Sequence, residues 1–370
     1  MKPVELLERL VATASVSGDE SRIADFVARH ARGFGAVVER SDNNIWFSLG
    51  RGDGPTLLFN SHLDTVPACA GWTLDPMKPA WRGSRLYGLG SNDAKASVAA
   101  MLSVAECLAG MQERIPGRVV FALTAEEEIG GQKGIASVLD MLGPVNAAIV
   151  GEPTSLEACT AQRGMLILKC VSHGVSGHVA HSRPSTYADA SVDREGRSHG
   201  GSVNAIEVAA RDVTRLAQWE FEPHELLGQT RAQVTQIQGG LQRNQIPDRC
   251  EFFVDLRTTP NLDHSSVAAE IDAALESEVT IHSARYLPKH TDSGHPLVRA
   301  ALTANGRDTP VGSNTTSDWA FLGDLPVVKL GPGDTQRSHR PDEYLEAEEL
   351  AAGIRVYSQI TRQFFEVVSA

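Results

Sequence analysis

Two histidines and a set of carboxylates stand where apolar runs of this sequence stop. Leu57 to Ser61 leads into His62-Leu63-Asp64, Arg118 to Thr124 into Ala125-Glu126-Glu127-Glu128, and Ala147 to Val150 into Gly151-Glu152-Pro153. Asp93 precedes an Ala- and Met-rich helical stretch, and His339 follows Val327-Val328-Lys329-Leu330 and a Gly-Pro-Gly turn. Imidazoles and carboxylates without thiolates suit zinc, cobalt or manganese. Two such ions about 3.5 Å apart need one shared carboxylate and open positions for water. Of the neighbouring glutamates Glu127 and Glu128, one can bind metal while the other faces the water as general base, a task best served by a pKa near the working pH. Asp64, two residues beyond His62 along a strand, lies on the same side and can orient the ring.

Each residue also has a plainer reading. His62 could be a strand-end histidine bonded to a nearby aspartate, and Glu126-Glu127-Glu128 a solvated acidic turn. Glu152 before a proline could be a loop carboxylate, and His339 between Ser338 and Arg340 a surface group. Their recurrence at the ends of successive apolar segments is what favours chemistry. The glycines around Gly90 and Gly130-Gly131 never complete G-x-G-x-x-G after a strand, so dinucleotide binding is poorly supported.

The elements that must position these groups alternate. Residues 4–31 read as one helix, or two around a Ser15–Glu20 loop with Ser17 or Asp19 as cap. Val37-Val38 and Asn44–Leu49 read as strands, and Arg51–Pro55 as a turn. Three apolar strands with helices between them predict an α/β fold with a mostly parallel central sheet flanked by helices, whose carboxyl edge is where such sheets hold ligands. Near Gly164 the texture changes. Residues 165–171 and 249–257 alternate in polarity, with helical stretches at 202–217 and 268–276, which predicts an inserted α+β domain with an antiparallel sheet. The boundaries expected are 1–163 with 285–370 for the first domain and 164–284 for the insert. A last helix spans 347–368, and the Gly/Ser-rich patch at 194–202 reads as a loop.

At 370 residues the chain is long enough for two domains. Its net charge of -12 and lack of a Lys/Arg cluster make nucleic acid and anionic membrane poor partners. The five cysteines are scattered and never form C-x-x-C, so they read as reduced residues rather than zinc ligands. The first residues lead into an amphipathic pattern rather than a signal peptide, and the expected location is the cytoplasm.

Five segments in order carry a resemblance. His62-Leu63-Asp64, Gly90-Ser91-Asn92-Asp93-Ala94-Lys95, Ala125 to Glu128, Gly151-Glu152-Pro153-Thr154 and Ser338-His339-Arg340-Pro341-Asp342-Glu343-Tyr344 resemble the ordered motifs of the dinuclear-zinc aminoacylase and exopeptidase family. That family includes acetylornithine deacetylase, succinyl-diaminopimelate desuccinylase and carboxypeptidase-G-type enzymes, and the nearest likeness is to deacetylases of arginine biosynthesis. The resemblance runs from about residue 57 to 344.

It implies two divalent metals, zinc or cobalt, bridged by Asp93. His62 and Glu152 would complete one site, and Glu128 and His339 the other. Glu127 would be the general base and Asp64 the support for His62. The insert would be the family's lid and dimerisation domain, giving a homodimer. In Ser176 to Ser182, His178 would contact the scissile carbonyl, in some relatives from the partner subunit, with His181 as the structural competitor. Asn244 and Arg257 fit substrate-binding patterns, although Arg257 could instead pair with Asp255. Asp318 is the candidate for a cationic substrate tail. The implied substrate is a small α-N-acetyl amino acid, N-acetylcitrulline or N-acetylornithine. Succinyl-diaminopimelate, dipeptides and a non-catalytic scaffold are the alternatives. The sequence departs from the family at Glu126, where Asp is common, and at Asn314-Thr315-Thr316-Ser317-Asp318, which bears on substrate recognition.

Overall fold

A computed structural model describes residues 1–181 and 202–368. The chain divides into two compact units: Met1–Thr160 with His290–Ser313 and Ser317–Ala370, and Ala161–Lys289 with Asn314–Thr316. Along the chain the main elements are α1 (Pro3–Ala12), α2 (Ser21–Gly33), β1 (Asn44–Gly50), β2 (Thr56–His62), α3 (Lys95–Ala109), β3 (Arg118–Thr124) and β4 (Ala147–Val150). The second unit holds β5 (Met165–His173), α4 (Ala205–Ala217), β6 (Arg231–Gly239), β7 (Arg249–Arg257), α5 (His264–Ala274) and β8 (Glu278–Tyr286). The first unit resumes with α6 (Pro296–Asn305), β9 (Val327–Lys329) and α7 (Ala347–Val368).

The first unit is built on a mixed sheet whose centre, in the order β3-β2-β4-β9, is parallel. β1 joins β3 antiparallel on one flank. Every residue of β2 is buried, as a strand covered on both faces must be. Register then decides function. His62 lies opposite Thr124, and Asn60 opposite Val150. β2 and β3 therefore end level and β4 stops two residues short of the end of β2, and the residues that follow, Glu126 to Glu128 and Glu152, leave the same carboxyl edge as His62.

Aromatic stacking holds that register. Phe121 lies between Phe47 and Phe59, each 5.3 Å away by ring centroid, and Tyr357 of α7 meets Phe59 edge-on. Helix α3 is apolar nearly all round, which suits its place between the sheet, α1 and α7. A side chain on Gly151 would come within 2.5 Å of Met101 Cε and 2.8 Å of Ser97 Cβ. That close approach of strand end to helix sets where Glu152 emerges.

The second unit has an antiparallel sheet in the order β6-β7-β5-β8. Its buried residues alternate, with Leu166, Leu168 and Cys170 in β5 and Cys250, Phe252, Val254 and Leu256 in β7, and they pack with Ala205, Ala209 and Leu216 of α4 and Val267 and Ile271 of α5. This is the period-two pattern of a sheet covered on one face.

Several local expectations change. The first helical region is two helices, and the N-cap of α2 is Glu20 with no side-chain cap bond. Ser17 does not cap because its hydroxyl donates to Asp64 Oδ2 at 2.7 Å. Val37-Val38 is not a strand; Glu39–Ser41 pairs with β1 instead, and Val37 is exposed. All five cysteines are free, with Cys69 and Cys107 exposed. The loop expected at 194–202 lies outside the described residues apart from Ser202.

Replacing Phe121 with Ala is expected to cost about 3–5 kcal/mol, because the cavity opens inside the stacked rings. Urea unfolding monitored by circular dichroism should show a lower midpoint at unchanged slope. A midpoint shifted by less than about 1 kcal/mol equivalent would show that the stack does not hold the sheet.

Candidate metal centre

The acidic and imidazole groups meet at the strand ends in one connected string. Asp93 Oδ1 lies 3.2 Å from His62 Nε2, and Asp93 Oδ2 lies 3.8 Å from His339 Nε2. His339 Nε2 is also 3.0 Å from Glu128 Oε1, and His62 Nε2 is 3.9 Å from Glu152 Oε1. Ligand atoms of His62, Asp93 and Glu128 all fall within 4.8 Å of one another. One carboxylate thus turns an oxygen toward each of two imidazoles, and each imidazole has a second carboxylate of its own.

Asp64 organises this string from behind. The backbone carbonyl of Asp64 lies 3.0 Å from His62 Nδ1. A carbonyl only accepts, so Nδ1 carries a hydrogen, and Nε2, which faces the carboxylates, is the nitrogen that could ligate a metal on losing its own proton. The Asp64 carboxylate accepts from the backbone N–H of Glu127 and of Glu128, each at 3.1 Å, as well as from Ser17. It therefore places the glutamate turn as well as the ring, a wider role than support of His62 alone.

The turn is tight. Glu126 adopts φ 56°, a left-handed conformation, and its N–H donates to the buried Glu20. Asn and Asp enter that region more readily than Glu, so the departure at Glu126 carries a local conformational cost. His339 likewise sits at φ 60°.

The electrostatics fit a cation. Burial pushes Glu127 well above the carboxylate range, and the Glu152 charge adds to it. Burial pushes Glu152 up to about 8, with His62 opposing and Asp93 adding. Its Oε1 is buried and meets no hydrogen-bond donor. His62 is raised well above its usual value because hydrogen bonds to Asp64 and Asp93 outweigh burial. The hydrogen bond to Glu128 brings His339 up to about 9. So many carboxylates are held together only when protons or cations offset their repulsion. An orphaned carboxylate oxygen close to an imidazole nitrogen is a donor set that a divalent ion, displacing the imidazole proton, satisfies.

A sequence model of peptidase family M20/M25/M40 matches residues 58–363. The chain belongs to this family of hydrolases. Solved structures agree on the fold. The chain is similar to the aminopeptidase PepT from Bacillus cereus, at 20% identity and TM-score 0.77 over 98% of both chains. It is similar to the Bacillus subtilis YXEP protein, described as a dinuclear metal binding peptidase from the M20 family, at 17% identity and TM-score 0.74 over 100% of this chain and 98% of that one. It is also similar to human carnosine dipeptidase 1, at 16% identity and TM-score 0.66 over 99% of this chain and 97% of that one.

In this M20 chain the remaining candidates are Asp318 of the first unit and three residues of the second. Asp318 is 1% exposed, and its Oδ2 accepts from Thr124 Oγ1 at 3.0 Å. That enclosure corrects the expectation of a carboxylate open to a substrate tail: Asp318 is a buried group behind the strand end. Burial holds its carboxyl up at about 6. His178, Asn244 and Arg257 belong to the second unit. His178 is exposed on a two-residue strand paired with Gln245–Ile246, and the N–H of Val179 donates to the Asn244 carbonyl at 3.2 Å, so these two neighbour each other. Arg257 makes a two-pronged pair with Asp255 at 2.9 and 3.1 Å, the plainer of its two readings. His181 ends a short helical turn after His178. Sequence reasoning missed Glu20, Asn92 and Glu343 as supports; Asn92 and Glu343 lie inside motifs and Glu20 in the loop before α2, and only burial marks them out.

Metal removal should therefore expose a pH dependence. Glu152 titrates at 4.5 when unfolded and about 8 when folded, so the unfolded chain binds fewer protons between those values and stability falls as pH rises. His339, about 9 when folded, contributes stability present below 6.5 and lost as pH rises through 9. After EDTA treatment, Tm by calorimetry is expected to drop from pH 6 to pH 9, and excess Zn²⁺ or Co²⁺ should flatten that decline. A Tm that climbs with pH, or ignores added metal, would contradict the assignment.

Proposed function

We propose that this chain hydrolyses the amide of an α-N-acetyl amino acid, releasing acetate and the free amino acid, with N-acetylcitrulline or N-acetylornithine of arginine biosynthesis as substrate. The observation that carries the reading is Asp93, whose two oxygens face His62 Nε2 and His339 Nε2, while Glu152 and Glu128 approach those same two nitrogens. These five residues are the proposed holders of two divalent ions, zinc or cobalt. Such a pair, when bound, polarises a carbonyl and acidifies water.

The chain's own groups supply the proton traffic. Glu127 is raised by burial and by Glu152, so its carboxyl holds a proton more firmly than an ordinary carboxylate does, as a general base needs. It is the proposed base that takes a proton from the attacking water and returns it to the leaving nitrogen. Asp64 holds the Glu127 backbone still while this happens. His178 of the second unit is proposed as the donor to the developing oxyanion, contributed by a second copy of the chain through the inserted domain. Asn244 is proposed to bind the substrate beside it.

The enclosure of Asp318 bears on substrate. A cationic ornithine tail wants an accessible carboxylate, and a neutral ureido tail does not, which favours N-acetylcitrulline. A second reading, cleavage of short peptides, is favoured by the aminopeptidase and dipeptidase among the similar structures.

An amine-release assay with added Co²⁺ across N-acetylcitrulline, N-acetylornithine, succinyl-diaminopimelate and several dipeptides separates these readings. The highest kcat/KM is expected on N-acetylcitrulline; a dipeptide at the top would replace the deacetylase reading. Glu127→Gln should lower kcat by at least about 10²-fold with metal content unchanged, and retained turnover would remove Glu127 as base. Mixing Glu127→Gln with His178→Ala protein should restore part of the activity if subunits share the site. No recovery would refute contribution from a second copy.

A further inference from the structure

The loop that carries Asp93 and the loop that carries His339 are joined by two buried side chains that no role above uses. Glu343 is 3% exposed. Its Oε1 accepts from the N–H of Asn92 at 2.8 Å and of Asp93 at 2.9 Å, and its Oε2 from the N–H of Gly90 at 3.0 Å. One carboxylate thus gathers three consecutive-turn amides around the residue whose two oxygens face the two imidazoles. In return the Glu343 carbonyl accepts from Gly88 N–H at 3.0 Å, where Tyr344 and Tyr87 begin an antiparallel pairing.

Asn92 makes the reciprocal grip. Its Oδ1 accepts from Asp334 N–H at 2.9 Å, and its Nδ2 donates to Asp334 O at 3.1 Å and to Ser338 Oγ at 3.2 Å, one residue before His339. Gly333 leaves room for this amide: a Cβ there would come within 2.3 Å of Asn92 Oδ1. Side chains from each loop therefore hold the backbone of the other.

We infer that Glu343 and Asn92 are positioning residues that set the distance between the Asp93 carboxylate and the His339 imidazole, and so the spacing of the two metal sites. The inference rests on the metal-centre reading. The physical ground is that Asp93 and His339 come from loops 246 positions apart in sequence (339 − 93). Their spacing cannot be set by local chain geometry. Loops crossed by hydrogen bonds at both ends lose the freedom that would blur it.

The test uses the full-length protein with Glu343→Gln, whose amide NH2 would face the Gly90 N–H, and with Asn92→Asp, which keeps volume but loses both donations. Metal affinity is read by competition with a chromophoric chelator, and geometry by the d–d absorption of the Co²⁺-loaded protein. Each variant is expected to keep the native circular dichroism, weaken metal binding about 10- to 100-fold, change the Co²⁺ spectrum, and lower kcat more than it changes KM. Native metal affinity and spectrum in both variants would overturn the positioning role. If one variant fails to fold, the other decides. Failure of the native protein to take up about two metals would instead overturn the metal-centre reading beneath it.

Discussion

Everything at the strand ends answers to one constraint: several carboxylates are crowded into a partly dry space around Asp93. Like charges so placed repel, and burial removes the water that would screen them. Two imidazoles join the cluster, and at each the Nε2 atom meets both Asp93 and either Glu152 or Glu128. Protons can offset the repulsion, and so can divalent cations. The raised values of Glu127 and Glu152 and the orphaned Glu152 oxygen are consequences of the same crowding.

Such a cluster lasts only if the scaffold resists relaxing it. The parallel strands supply one form of resistance, because they share a carboxyl edge in fixed register and their aromatic residues stack across the sheet. Buried acceptors supply another. Asp64 collects the amides of Glu127 and Glu128, Glu20 that of Glu126, and Glu343 those around Asp93. A carboxylate that accepts from several backbone N–H groups is held in one place and holds those amides in turn. Acidic residues thus play two parts here. Some face one another at the site, and others fasten the turns that present them.

The family explains how one fold serves varied substrates. Solved structures below 25% identity share nearly the full length of the chain with it. The strand-end donors belong to the shared first unit, whereas His178 and Asn244 lie in the second. The strand-end donors and these two candidates therefore sit on different units of the chain.

Much of this was readable in the residues themselves. Apolar runs ending in His62, Glu127 and Glu152 marked buried strands, because a strand covered on both faces needs unbroken apolar residues and a polar end where it leaves the sheet. Alternation in 165–171 and 249–257 marked an antiparallel sheet covered on one side. Other features were closed to such reading. Ser17 has the form of a helix cap, yet its hydroxyl goes to Asp64, 47 positions away. Asp318 has the form of a pocket carboxylate, yet it is enclosed behind Thr124. Which groups meet depends on strand register and on which loops cross, and both are set by packing between distant segments. Local sequence determines which donors exist and which element ends in them; only the tertiary structure decides that one aspartate faces two histidines, because the three come from segments distant in sequence that meet only through folding.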